Sequence, residues 1–259
     1  MEHSVEKIGE IKAKFAETKT EELAGLILKY EGDQRSGVQG EIKKAQKRLE
    51  ALEKEKVRIW QMKSFEREYE NLGYVCGIDE VGRGPLAGPV VAGAVILPKD
   101  CQILYLNDSK QLSAKKRDEL YDIIMAEAVS VGLGFVGPER IDEINILQAT
   151  YEAMRQAISK LNPGPDVLLN DAVTIPGVSV RQVPIIKGDA KSVSIAAASI
   201  VAKVTRDRLM EQYDEVFPEY GFAANKGYGA AAHIEALKKY GPTPIHRRSF
   251  IGNFVTVQS

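Results

Sequence analysis

The chain has 259 residues, 44% of them hydrophobic, enough to bury one full core of up to about 200 residues and to carry an appendage. A formal net charge of −1 gives no global attraction to nucleic acid or to an anionic membrane, so any basic site has to be a local patch. Two cysteines, Cys76 and Cys101, exclude a disulfide framework and a zinc box and read as buried thiols. With no apolar signal core in MEHSVEKIGEIKAKF and no run of roughly 18 apolar residues, an unprocessed cytoplasmic protein without membrane segments is expected.

The first 70 residues hold 15 basic and 15 acidic side chains, against 20 and 21 in the remaining 189, so the chain changes character near Gly73. Ile42, Ala45, Leu49, Leu52, Ile59 and Met62 recur at three-and-four spacing, which predicts a long amphipathic helix interrupted only by Lys56. Upstream, TEELAGLILKY (20–30), with Thr20 as its cap, predicts a shorter helix that folds back on the long one. Residues 1–70 are therefore expected to form a helical extension, and 71–259 the main domain. A charge-laced hairpin is the plainer account of the extension. A substrate-gripping appendage using Lys43, Lys44, Lys47 and Arg48 is the sharper one.

After Gly73 come short β-type runs, YVCGID, VVAGAVIL and VSVGLGFVG, then a helical stretch, IDEINILQATYEAMRQAISKL. DVLLNDAV and RQVPIIKGD follow as strands, and SVSIAAASIVAKVTRDRLMEQYDEVF as a long helix. Close early strands followed by alternation predict an α/β domain with a mixed sheet flanked by helices.

Four acids stand where strands are buried or just ending: Asp79, Glu80, Asp171 and Asp189. Acids are rarely buried unless paired or bound to metal. Taken singly, Asp171 could begin a turn and Asp189 could cap the helix that starts near Lys191. Taken together, an oxygen-only set suits Mg²⁺ or Mn²⁺ rather than zinc, and two such ions would suit phosphodiester hydrolysis. A glycosidase acid pair fits the same residues. Side chains alternate along a strand, so Asp79 and Glu80 can share one site only if a bulge or a strand end falls there. Gly82-Arg83-Gly84 is a turn by composition. It lacks the lysine of a phosphate-binding P-loop, but its glycines would let a nucleic-acid backbone approach while Arg83 meets a phosphate.

The segment GIDEVGRGPLAGPVVAGAV, followed in order by NDSKQLS (107–113), LLND (168–171), KGDAKSVSIAAASIVAKVTRD (187–207), NKGYG (225–229) and GPTPIHRRSF (241–250), resembles ribonuclease HII, the type 2 ribonuclease H family. The resemblance covers about residues 73–252 and implies a ribonuclease H-like fold. It implies a Mg²⁺- or Mn²⁺-dependent enzyme that hydrolyses the RNA strand of RNA/DNA hybrids; a monomer is expected. It further implies incision 5′ to single ribonucleotides in duplex DNA, leaving 3′-hydroxyl and 5′-phosphate ends, and hence ribonucleotide excision repair. Matched position by position, Asp79, Glu80, Asp171 and Asp189 correspond to the family's metal-binding, catalytic acids. Gly82, Arg83 and Gly84 correspond to its Gly-Arg-Gly motif, and Tyr228 to its ribose-sensing tyrosine. Lys110, with Lys187, Lys191, Arg247 and Arg248, could contact phosphates, although solvated surface charge is the commoner fate of such residues.

Two departures stand out. Ala230 occupies the place where the family usually has threonine, which predicts an uncapped start to the helix HIEALKKYG; residues 1–70 exceed the minimal enzyme. Type 3 enzymes share the fold and metal chemistry, but Arg83 and Asp189 favour type 2. A binding module without catalysis is disfavoured by the presence of all four acids.

Overall fold

The computed structural model describes residues 6–255, so the opening MEHSV of the N-terminal stretch lies outside it. The chain forms two compact units that divide between Trp60 and Gln61.

The first unit contains α1 (Ile8–Glu17), a 3₁₀ turn (Thr20–Glu22), α2 (Leu23–Tyr30) and most of α3 (Ser36–Met62). The expected back-folding is present: Leu23 and Tyr30 pack with Val38, Ile42 and Ala45, and α1 adds Ile11 and Phe15. The apolar stripe read along α3 is buried at Ile42, Ala45, Leu52, Ile59 and Met62. Thr20 is not a helix cap. Lys19 precedes the 3₁₀ turn with no side-chain cap, and the Thr20 hydroxyl instead accepts from Arg48 at 3.1 Å. Arg48 also donates to the carbonyls of Phe15 and Thr18, so its guanidinium is held by the unit's own backbone. The helix α1 has no clear signal in the sequence, because its three-residue apolar spacing is diluted by lysines.

The second unit begins with the end of α3 and α4 (Ser64–Tyr69) and then builds β1 (Val75–Val81), β2 (Val90–Ile96), α5 (Ala114–Glu127), β3 (Ser130–Val136) and α6 (Pro138–Ser159). It continues with β4 (Val167–Asp171), β5 (Arg181–Ile185), α7 (Val193–Val216), α8 (Phe222–Asn225), α9 (Ala231–Tyr240) and α10 (Arg248–Ile251). All five expected strands form, four of them within a residue or two of the β-type runs; the fifth, RQVPIIKGD, stops at Ile185, four residues early, because Gly188–Ala190 turns into a 3₁₀ helix. The helix α5 is hidden in the sequence because its charged residues leave only Leu120 and Ile124 buried.

The sheet order is β3-β2-β1-β4-β5. β1 is antiparallel to β2 and β2 to β3, whereas β1–β4 and β4–β5 are parallel, giving the expected mixed sheet. Helices α6 and α7 cover opposite faces, and glycines let both approach closely. A Cβ added at Gly93 would come within 2.6 Å of the Ala198 carbonyl of α7, and one at Gly134 within 1.9 Å of the Ala153 carbonyl of α6. The N-terminal half of α7, Val193 to Ala202, is wholly buried. Its N-cap is Ser192, whose side chain accepts from Ile195 N–H, and Glu66 of α4 accepts from Ser194 N–H at 2.9 Å. A carboxylate on a helix N-terminus meets both free N–H groups and the positive end of the dipole. Among the described residues no helix is long and apolar enough to cross a membrane.

Candidate active site

β1 carries Asp79 and Glu80 near its end, but the strand does not break between them. Its ladder with β2 runs unbroken through Asp79–Gly93, Glu80–Ala92 and Val81–Val91, so the bulge expected from the sequence is absent on that side. The break lies on the other side: the parallel pairing with β4 stops at Ile78–Asn170. The seam between the two strands therefore opens at Asp79 and at Asp171, the last residue of β4.

In the regular strand the two acids point to opposite faces. Asp79 faces α7 and is 7% exposed; the Ser199 hydroxyl of that helix, 2.9 Å from that of Ser109, favours its charged form. Its Oδ1 also accepts from Glu80 N–H at 2.8 Å. Glu80 lies 3.4 Å from the guanidinium of Arg83. Asp171 Oδ1 accepts from Gly188 N–H at 2.8 Å, which ties the end of β4 to the 3₁₀ turn Gly188–Ala190 that holds Asp189. Asp189 is buried there. It is not the cap of α7, because Ser192 is.

Electrostatics links the four acids through Asp171. Burial pushes the Asp79 carboxyl well above the usual range, and the charges of Glu80 and Asp171 push it further. Glu80 is also raised, by burial and by Asp171, against the pull of Arg83. Asp189 is raised by burial and by the charges of Asp108 and Asp171, and lowered by the charge of exposed Lys110. Among the described residues no basic side chain lies within 4.0 Å of Asp79, Asp171 or Asp189.

Such a set of oxygen-only, under-neutralised donors, two buried and two half-buried, fits a hard divalent cation. Among the described residues, though, no three His, Cys, Asp or Glu side chains are gathered closely enough to hold an ion. The fit is one of chemistry and charge rather than of a finished cage.

The second half of the site is a loop cluster. After β1 the chain turns through Gly82, with φ at 87°, and Gly84 comes beside the half-exposed ring of Tyr228: a methyl group at Gly84 would lie 3.9 Å from Tyr228 Cε1. Main-chain bonds hold the two loops together, from Leu86 N–H to Gly227 O at 2.8 Å and from Gly88 N–H to Ile245 O at 2.8 Å. The helix α9 starts at Ala231 with Ala230 as an N-cap that makes no side-chain bond.

Of the basic residues read as phosphate contacts, Lys187, Lys191 and Arg248 are exposed. Arg247 is fully buried, a correction to its expected place on the surface, and it donates to the carbonyls of Gly82, Arg83 and Gly88. Four side chains around the site are not singled out by the sequence: Ser199, Arg206, His233 and His246. Arg206 leaves no signal there, because it stands in the charged segment KVTRDR that follows the apolar run of α7.

Comparison with known proteins bears on both parts of the chain. Residues 76–253 match the family model for ribonuclease HII, and residues 7–70 match that for the ribonuclease HII N-terminal domain. A protein of Lachnoclostridium phytofermentans called ribonuclease HII is 65% identical over 232 residues, covering 90% of this chain and 91% of that one. The crystal structure of ribonuclease H2 from Pyrococcus horikoshii superposes with a TM-score of 0.56 at 30% identity, covering 68% of this chain and 93% of the other. A ribonuclease HIII from the Bst source solved in complex with Mn²⁺ shares the fold, with a TM-score of 0.51 at 19% identity over 64% of this chain and 61% of the other.

Proposed function

The chain belongs to the ribonuclease HII family, endonucleases that hydrolyse the RNA strand of RNA/DNA hybrids, and from that premise we propose that it also incises duplex DNA 5′ to a single embedded ribonucleotide, leaving 3′-hydroxyl and 5′-phosphate ends, as a cytoplasmic monomer. The observation that supports this reading is the meeting of Gly84 with Tyr228 on the loops that follow Asp79 and Glu80. Glycines there let a sugar-phosphate approach the main chain, and a half-exposed tyrosine can pack its ring on a sugar and bring its hydroxyl to the 2′-oxygen.

Asp79, Glu80, Asp171 and Asp189 would hold Mg²⁺ or Mn²⁺. Two such ions, when bound, supply activation of the attacking water and stabilisation of the leaving oxygen. The protein's own contribution is to position and to exclude. Asp79 is fixed by Glu80 N–H, and Asp171 by Gly188 N–H. Arg83, 45% exposed at its side chain, can exchange Glu80 for a phosphate, and exposed Lys110, whose charge acts on Asp189, can meet another.

The test is a labelled duplex carrying one ribonucleotide, incubated with Mg²⁺ and separately with Mn²⁺. Incision 5′ to the ribonucleotide with either ion is expected; no incision with both overturns the reading, and cutting confined to long hybrid tracts assigns the chain a type 3 specificity.

We read residues 1–70 as an appendage that grips the duplex. Lys43 and Lys47 are exposed on α3, whereas Arg48 is held by backbone. Changing both lysines to Glu should lower the slope of log affinity against log salt by about 2, one for each phosphate no longer neutralised. An unchanged slope would leave the appendage without a role in binding.

A further inference from the structure

Beneath the Gly82–Gly84 loop lie two arginines that the chemistry above does not use. Arg206 in the middle of α7 and Arg247 at the start of α10 are both 0% exposed, and among the described residues neither has a carboxylate within 4.0 Å. Between them they donate to six different main-chain carbonyls. Arg247 reaches Gly82 O at 2.5 Å, Arg83 O at 2.9 Å and Gly88 O at 2.9 Å. Arg206 reaches Pro89 O at 2.9 Å, Ala87 O at 3.0 Å and Lys226 O at 2.8 Å.

Arg206 sits so close under the loop that a Cβ at Gly82 would fall 2.3 Å from its Nε. Removing a guanidinium from water without a counter-ion is expensive, and the planar fork is suited to fixing several acceptors at once. What these two forks fix is the segment 82–89 and, through Lys226, the loop that carries Tyr228.

The direction of the fixed groups matters. In a trans peptide the C=O and the following N–H point to opposite sides. Since Gly82 O and Arg83 O turn inward to Arg247, the N–H groups of Arg83 and Gly84 must turn outward, and among the described residues neither has a protein acceptor. Two outward N–H donors above two buried positive charges form a place for an oxygen of a sugar or phosphate, with the Tyr228 ring alongside.

We infer that Arg247, backed by Arg206, is a positioning residue for ribonucleotide recognition: Arg247 sets the peptide planes of Gly82–Gly84 toward the substrate, and Arg206 ties that segment to the loop of Tyr228 through Lys226. This rests on the proposed function, because it concerns the same loop. Lysine in place of Arg247 keeps the charge but cannot hold the three carbonyls in one plane.

The experiment measures affinity, without divalent cation, for a DNA duplex bearing one ribonucleotide and for the all-DNA duplex, on the full chain and on Arg247→Lys, Arg206→Lys and Leu237→Ala. Leu237 is buried in the same small core but bonds to neither loop, so Leu237→Ala reports destabilisation alone, and all proteins are compared below their melting temperatures. Arg247→Lys is expected to shrink the ribonucleotide preference about tenfold, the equivalent of one charge-assisted hydrogen bond, while Leu237→Ala keeps it. Arg206→Lys gives the same reading should Arg247→Lys not fold. A preference within about twofold of the unmodified chain in the folded Lys variants, or an equal loss in Leu237→Ala, overturns the inference. Absence of any preference in the unmodified chain would instead count against the functional reading.

Discussion

Asp79 carries a double load. It is buried against α7 and repelled by Glu80 and Asp171, so its charge is held in place at a cost to folding. Replacing it by Asn keeps the shape and an oxygen for Glu80 N–H but removes the repulsion. Asp79→Asn should therefore raise the stability of the metal-free protein by about 1 kcal/mol, read by urea unfolding, and lower kcat by at least about a thousandfold with hybrid binding retained. Mg²⁺ or Mn²⁺ should raise the melting temperature of the unmodified chain, and Asp79→Asn should abolish that rise. A variant that still turns over would remove Asp79 from the metal site. The four acids were legible in the sequence because each interrupts or ends an apolar run. Their mutual arrangement was not, because alternation along a strand says nothing about where a neighbouring strand stops pairing.

At the scale of elements, what positions the site is where helices and strands end. β4 ends at Asp171, and the Gly188–Ala190 turn is latched to it before Ser192 caps α7. α9 begins without a side-chain cap at Ala230, although its backbone there, φ −65° and ψ 152°, is the geometry a cap residue adopts. Ala230→Thr should thus stabilise the protein by about 1 kcal/mol, seen as a higher midpoint in urea, because its hydroxyl can take one of the helix's free N–H groups. No gain would mean that the N–H groups of the first turn are already satisfied. The strands and α7 were readable from apolar runs and glycine punctuation, whereas α1 and α5 were hidden by charge density that blurs the 3.6-residue period.

Across the whole molecule, the loops that carry Arg83 and Tyr228 close on a buried polar centre. His233 Nε2 lies 3.0 Å from His246 Nε2; His233 Nδ1 contacts Tyr228 O at 2.8 Å, and His246 Nδ1 contacts Thr243 N–H at 3.0 Å. These partners assign the protons. His233 Nδ1 donates to the carbonyl, His246 Nε2 donates to His233, and His246 Nδ1 accepts from Thr243, so both rings are neutral and a further proton must land on an acceptor already in use. Burial, and then the neighbouring His233, lower His246 from its usual 6.5 to about 4, and burial lowers His233. A depressed folded-state value means that the stabilisation is complete above pH 6.5 and is lost as pH falls toward 4. The contribution of His246 is about 2 to 3 kcal/mol. Unfolding free energies measured from pH 7 to pH 4 should show that loss in the unmodified chain and a shallower one in His246→Gln; equal slopes would refute the assignment. The sequence by itself determined the charged helical extension, the mixed sheet and the residues proposed to meet a metal and a ribose, because hydrophobic periodicity and the family's motifs are local and linear. Only the tertiary structure decided that the β1–β4 seam opens between Asp79 and Asp171, that Arg247 lies inside the fold, and that Arg206, His233 and His246 hold the loops. Those facts depend on which main-chain carbonyls and side chains, distant in sequence, are brought out of water together.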